Sequence, residues 1–335
     1  MLVRNMKIRF PIMPDRCRVV GVSLVLIGSA LLAACGTTPV SRPVAEQPVV
    51  CTPASAPAVA EVVPPPPPPP PKPMRPPRVA LALGGGAARG FAHIGVIEVL
   101  EENGIHPDIV TGTSAGSLVA ALYASGYTGK ELANIALNMD ESALTDWSFP
   151  GRGLIRGEAL AHYVREEVGN RSFDQMKIPL GIVATDLDNG KPILFRRGDV
   201  GTAVRASSAV PAVFQPVRLG THEYVDGGLT SPVPVRSARD MGADVIIAVD
   251  ISQLPDGGDT GDAMHMLLQT FSIMGRSINE LELKEAEIVL HPKLVGVAGT
   301  DFTVRKKNIE AGREAALAML PAIKAKVAMQ VPVNR

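Results

Sequence analysis

The pentapeptide Gly112-Thr113-Ser114-Ala115-Gly116 holds the residues of this chain best suited to chemistry. A G-x-S-x-G segment sets a serine on a sharp strand-to-helix turn, with its hydroxyl exposed and backbone N–H groups close by. The flanking glycines permit that turn, because a Cβ there would collide with the backbone. Such a serine is a nucleophile for acyl transfer and needs a base to take its proton as it attacks. Two bases are candidates. Asp226, in Tyr224-Val225-Asp226-Gly227-Gly228, leaves an apolar-aromatic strand on a turn with little steric cover, although Asp-Gly is also a common turn dipeptide. His291 ends the apolar run Glu287-Ile288-Val289-Leu290 and would complete a Ser, Asp, His order with Asp226 or Asp250. The residues alone leave both a dyad and a triad open.

The elements needed to position these groups are legible around them. Arg78-Val79-Ala80-Leu81-Ala82-Leu83 is a short apolar run that breaks at Gly84-Gly85-Gly86, a buried strand feeding a tight turn. After Gly90, apolar residues at Ile94, Ile97 and Leu100 predict a helix that stops at Gly104. Asp108 to Gly112 is a second strand, with Ser114 where it ends, and Ala115 to Tyr123 reads as a small-residue apolar helix beneath the turn. Further strands are expected at Leu180 to Thr185, Ile193 to Phe195 and Val245 to Asp250, with helices at Glu131 to Asn138 and Gly157 to Glu167. This alternation indicates an α/β layered fold with a mostly parallel sheet.

Taken together, Gly84-Gly85-Gly86-Ala87-Ala88-Arg89-Gly90, Phe91 to Val96, the Ser114 pentapeptide, Arg205 to Phe214 and Asp226-Gly227-Gly228 resemble the patatin-like phospholipase family. The resemblance runs from about Arg78 to Asp250. It implies a three-layer fold with a central sheet flanked by helices, and a Ser114–Asp226 dyad without a triad histidine. It further implies that backbone N–H groups of Gly84, Gly85, Gly86, Ala87, Ala88, Arg89 and Gly90 form the oxyanion and substrate-binding loop, where Arg89 adds positive charge. The substrate implied is a membrane phospholipid or lysophospholipid. The chain departs from the common family form at one place: two alanines separate Gly86 from Arg89, so Ala87 stands where the third glycine of the motif falls. A scaffold that kept the fold and lost turnover is the competing expectation. A dinucleotide-binding turn fits less well, because Asp108 opens the following strand where an acidic residue should close it.

The N-terminal part belongs to a different class. Arg4, Lys7, Arg9, Arg16 and Arg18 precede the apolar stretch Val19 to Ala34, the charged and hydrophobic regions of a secretory signal. Leu32-Ala33-Ala34-Cys35-Gly36 resembles a bacterial lipoprotein cleavage box. It implies removal of residues 1–34, lipidation of Cys35, and an outer-membrane anchor facing the periplasm. Residues 35–77 read as a Pro- and Ala-rich tether containing the run Pro64 to Pro71; in polyproline II it would reach on the order of 130 Å. Residues 78–250 then read as the catalytic domain, with 251–335 completing it. The whole chain has 33 basic and 33 acidic residues, and loss of the signal leaves 28 and 32. That balance excludes a phosphate-backbone binder, so no nucleic-acid partner is expected. Cys51 would be the one thiol left, so no internal disulfide is possible. Neither a cofactor nor a metal enters this reading: the six histidines are scattered, and Thr185 to Gly190 reads as a hairpin turn.

Overall fold

The structure is a computed structural model that describes residues 73–140, 146, 153–252, 261–294 and 302–333. The signal, Cys35, Cys51 and the proline run lie outside those residues, as do Trp147, Phe149 and Pro150-Gly151, which the sequence suits to core packing before a lipid-facing lid. In chain order the strands are β1 (Met74–Arg75), β2 (Val79–Leu83), β3 (Ile109–Thr113), β4 (Gly153–Ile155), β5 (Leu180–Asp186), β6 (Pro192–Phe195), β7 (Ala212–Phe214), β8 (Val217–Leu219), β9 (His222–Asp226), β10 (Val245–Val249), β11 (Ile288–Leu290) and β12 (Val331–Pro332). The α-helices are α1 (Phe91–Glu102), α2 (Ala115–Ser125), α3 (Gly129–Asn138), α4 (Glu158–Glu167), α5 (Val200–Ser207), α6 (Val235–Asp240), α7 (Ala263–Glu282) and α8 (Arg305–Val327).

The central sheet runs β11-β10-β2-β3-β5-β9-β8, with β6 also paired to β5. Strands β11, β10, β2, β3 and β5 are parallel, and β6, β8 and β9 join antiparallel. Successive side chains of a strand point to opposite faces, and both faces here are covered. Val79, Leu81, Leu83, Ile247 and Val249 pack into one core with α1, α2 and α8; Ala80, Ala82, Ile246 and Ala248 pack into another with Val235, Ala238 and Met241. Three layers result, with β2, β3 and β10 buried throughout. That double burial is why these strands read as continuous apolar runs in the sequence.

Register does the work of bringing distant residues together. Ile182 pairs with Gly112 on one edge of β5 and with Phe195 on the other, while Ala184 pairs with Asp226 and with Ile193. Since β6 occupies one edge throughout, β3 and β9 share the opposite edge in succession. They meet head to head: Thr113 lies opposite Val183 and Asp226 opposite Ala184. The residue after Thr113 is Ser114.

Both ends of the described chain are tied to this body. β1 pairs antiparallel with β12, and the Arg75 guanidinium meets Asp244 at 2.7 Å, so residues 73–77, read as tether, join the folded body. After β10, the chain returns through β11, parallel to β10, and α8 lies along α1. The two helices touch through glycines: a Cβ on Gly95 would run into the Ile309 carbonyl, and one on Gly312 into that of Ala92. At the same contact the buried Asn308 amide donates to Ala88 O at 3.1 Å, linking α8 to the glycine loop. Gly95→Ala is therefore expected to cost about 1–3 kcal/mol by forcing the backbones apart. Thermal unfolding checks it, as a Tm several degrees below wild type.

Candidate active site

The glycine loop starts where β2 ends, and its first two N–H groups are already engaged. Gly84 donates to Val249 O at 3.1 Å and Gly85 to Pro232 O at 2.9 Å. These bonds tie the loop to its neighbours, so Gly84 and Gly85 do not supply oxyanion donors as the resemblance implied. The N–H groups of Gly86 and Ala87 make no hydrogen bond with the described residues, and both residues line the cleft. Ala87 has φ 49°, a left-handed conformation that costs an alanine roughly 1–2 kcal/mol. This is the position where the family form has glycine, and the alanine adopts the glycine-like backbone. Ala88 and Gly90 are buried behind the loop, Gly90 against Ala115.

Two side chains hold the loop from beneath. His93 is fully buried, and its Nε2 lies 2.8 Å from Gly84 O. Burial lowers its pKa to about 4, so the ring is neutral at pH 7 and Nε2 carries the proton it donates. Arg89 donates from Nε to Ile251 O at 2.9 Å and lines the cleft. Burial lowers its pKa, and the nearby Asp250 carboxylate works against that shift.

Ser114 occupies the turn between β3 and α2 with φ 52° and ψ −123°, a conformation L-residues rarely adopt. The motif glycines explain how it closes: a Cβ on Gly112 would strike the Gly116 carbonyl, and one on Gly116 the Leu83 carbonyl. Three hydroxyls fix the turn. The Ser114 N–H donates to Ser207 Oγ at 2.9 Å, and that hydroxyl donates to Val183 O at 2.5 Å. Thr113 donates to Ser231 O at 2.9 Å, and Ser117 donates to Ser114 O at 2.6 Å. Ser207, from the segment Arg205 to Phe214, has no catalytic chemistry of its own; its role depends on strand register and no local pattern signals it.

Asp226 reaches the same spot from β9. Its N–H donates to Ala209 O at 3.0 Å, and its carbonyl accepts from Thr185 Oγ1 at 2.9 Å. Its carboxyl is buried; Oδ1 accepts the Gly228 N–H at 2.7 Å, while buried Oδ2 has no well-aligned partner. Burial raises the pKa to about 6, opposed by the Ser114 hydroxyl and the Gly228 N–H. Nucleophile and base contacts of this kind are often poorly aligned until substrate is bound. Gly86, Ala87, Arg89, Ser114, Asp226 and Phe271 all border one cleft of about 220 Å³.

His291 is not brought to this cleft. Its Nδ1 pairs with Asp250 Oδ2 at 3.4 Å, and that carboxylate raises its pKa. The Asp–His half of the triad alternative forms, but among the described residues no contact joins His291 to Ser114. The Met-rich start of α7, whose sequence suits either core or acyl-chain lining, is exposed or half-buried; Phe271, Ser272, Gly275 and Arg276 of the following turns border the cleft. A metal-capable trio that the spacing concealed does form at the far end of β9. Asp186, Asp188 and His222 bring ligand atoms within 4.8 Å of one another, and His222 Nδ1 already pairs with Asp186 at 3.0 Å. Asp186 also serves the β5–β6 turn by accepting from the Asp188 N–H at 2.9 Å.

The chain is similar to known proteins over much of its length. Residues 81–239 match the family described as "Patatin-like phospholipase". An "uncharacterized NTE family protein" of Mycobacterium tuberculosis is 39% identical over 190 residues, covering 56% of this chain and 51% of its own. "Lysophospholipase nte1" of Aspergillus fumigatus is 30% identical over 243 residues, covering 69% of this chain and 16% of its own. The chain therefore spans about half the length of the mycobacterial relative and a small part of the fungal one. Among solved structures, VipD from Legionella pneumophila aligns at 15% identity and a TM-score of 0.49, over 73% of this chain and 66% of its own.

Two outcomes follow from the site's geometry. Ser207→Ala removes the acceptor of the Ser114 N–H and loosens the nucleophile; kcat should fall at least about tenfold with KM little changed, read by steady-state kinetics on an ester substrate. Asp226 has its folded pKa raised above the unfolded value, so its contribution to stability is full below pH about 4. As pH rises through about 6, roughly 3 kcal/mol is lost. Asp226→Asn should accordingly melt higher than wild type at pH 8, with the gap closing at pH 4. The same ionisation predicts that wild-type kcat/KM falls on the acid side with a midpoint near pH 6.

Proposed function

The chain belongs to the patatin-like phospholipase family through residues 81–239, and from that membership we propose that its cleft hydrolyses the carboxylic esters of phospholipids or lysophospholipids. The observation that carries the proposal is the convergence of Ser114 and the Asp226 carboxyl at one wall of the cleft, beside the unengaged Gly86 and Ala87 N–H groups. In this reading the ester carbonyl carbon sits over Ser114 Oγ. Asp226 takes the hydroxyl proton as Oγ attacks, and the oxyanion that forms accepts from Gly86 and Ala87. Each such donor is worth roughly 2.7–4 kcal/mol in hydrolases of this type. Collapse of the tetrahedral adduct breaks the ester C–O bond; the leaving alkoxide takes the proton from Asp226 and departs as the alcohol. Water then enters, gives a proton to Asp226 and attacks the acyl-Ser114 carbonyl. The fatty acid leaves and Ser114 recovers its proton.

Burial of Asp226 suits this cycle. A carboxyl with pKa near 6 is a stronger base than an exposed aspartate, yet it is largely ionised at pH 7. Arg89 contributes a fixed positive charge in the cleft wall, where it favours an anionic headgroup. The resemblance of residues 32–36 to a lipoprotein cleavage box supports lipid anchoring through Cys35, in the outer membrane facing the periplasm. Anchoring confines the enzyme to the surface where such a substrate is concentrated.

The test is hydrolysis of a phospholipid and lysophospholipid panel by the full chain and three variants. Ser114→Ala and Asp226→Asn should each lose about a thousandfold or more in kcat, with His291→Ala within a few-fold of wild type. Retained hydrolysis in Asp226→Asn together with its loss in His291→Ala would overturn the dyad.

A further inference from the structure

α7 is held by one side and one end. Its buried residues are Asn279 and Glu282 in the last turns, where Glu282 accepts from the Ser231 hydroxyl at 2.9 Å. One flank, carrying Phe271, Ser272, Gly275 and Arg276, forms a wall of the catalytic cleft. The outward side is apolar and open: Met266 is 58% exposed, Ile273 51%, Met274 51% and Leu281 61%. At 3.6 residues per turn these four fall within an arc of about 100°, so they form a stripe along the helix. Thr270 and Ser277 share the arc, and their hydroxyls are turned back onto the helix, to Met266 O at 2.9 Å and Ile273 O at 3.3 Å. Hydroxyls bonded four residues back need no outside partner. The arc itself carries no charge; Arg276 and Glu280, paired at 3.2 Å, stand along one border.

We propose that this stripe is the surface by which the domain seats on a lipid bilayer. A 20-residue helix with one uncharged apolar face suits an interfacial position, and no helix among the described residues is long and apolar enough to cross a membrane. A bilayer is the occupant the chain itself favours. The sequence before residue 73 contains the apolar stretch Val19 to Ala34 and then a proline-rich tether that would hold the domain near a membrane. With no basic cluster on the arc, the contact rests on apolar burial and does not require anionic lipid. The proposal rests on the acyl-hydrolase reading for its biological purpose, but its physical claim can be tested apart from turnover.

The experiment uses the full chain reconstituted in phosphatidylcholine vesicles that also carry lysophosphatidylcholine. The variant Ile273→Glu/Met274→Glu should hydrolyse the vesicle-borne lipid at least tenfold more slowly than wild type. Its rate on a water-soluble short-chain ester should stay within twofold, because neither residue borders the cleft. In parallel, Met274→Trp in a Trp147→Phe background, which removes the chain's one native tryptophan, should be quenched by brominated phosphatidylcholine. Equal loss on both substrates, no loss on either, or an unquenched Trp at 274 would overturn the proposal. So would light scattering in lipid-free detergent solution showing that the Glu variant dissociates a dimer, since a second copy would then cover the stripe. If wild type hydrolyses neither substrate, the acyl-hydrolase reading fails, while the quenching result still decides the membrane contact.

Discussion

The backbone of Ser114 is the constraint around which this molecule is arranged. A serine at φ 52° and ψ −123° does not hold itself there; the surrounding structure must over-determine it. Two glycines let α2 approach β3 and the end of β2 until carbonyls sit where side chains would otherwise be. A buried serine from α5 accepts the Ser114 N–H and passes the bond on to β5. The neighbouring Thr113 is pinned to Ser231, which is itself bonded to Glu282 on α7. The strained turn is thereby connected to α5, the central sheet and the cleft-wall helix through hydroxyl groups that meet their partners in the interior.

Head-to-head placement of β3 and β9 supplies the second half of the site. Because both strands use the same edge of β5, the ends that carry Ser114 and Asp226 converge without any loop having to reach across the sheet. The cost is a carboxyl buried at that junction, and burial raises its pKa. In the proposed cycle that burial sets a stronger base beside Ser114. Ala87 shows the same exchange on a smaller scale, as an alanine kept in a glycine-like conformation where the loop turns toward the cleft.

What the sequence made legible was local. The strands β2, β3, β5 and β10 were readable because double burial makes them continuous apolar runs, and the Ser114 turn because its glycines are contiguous with it. Pairings set by register were hidden. Nothing near Ser207 signals that its hydroxyl would carry the Ser114 N–H, and nothing near Asp188 signals His222. The glycine loop was identified as a unit, yet the division of labour within it required knowing that β10 and Pro232 take the Gly84 and Gly85 N–H groups. His291 looked suitable because it ends a strand after two aspartates. That strand is the outer one beyond β10, where Asp250 occupies the imidazole. α7 was read as Met-rich without its exposure, which only packing reveals.

In the proposed mechanism Ser114 is an activated nucleophile held in that turn. Treating the full chain with a fluorophosphonate and mapping the adduct by peptide mass spectrometry tests it most directly. The account predicts one phosphonyl adduct on Ser114, formed much more slowly in Asp226→Asn and at the wild-type rate in His291→Ala. An unlabelled Ser114, or labelling indifferent to Asp226, would contradict it.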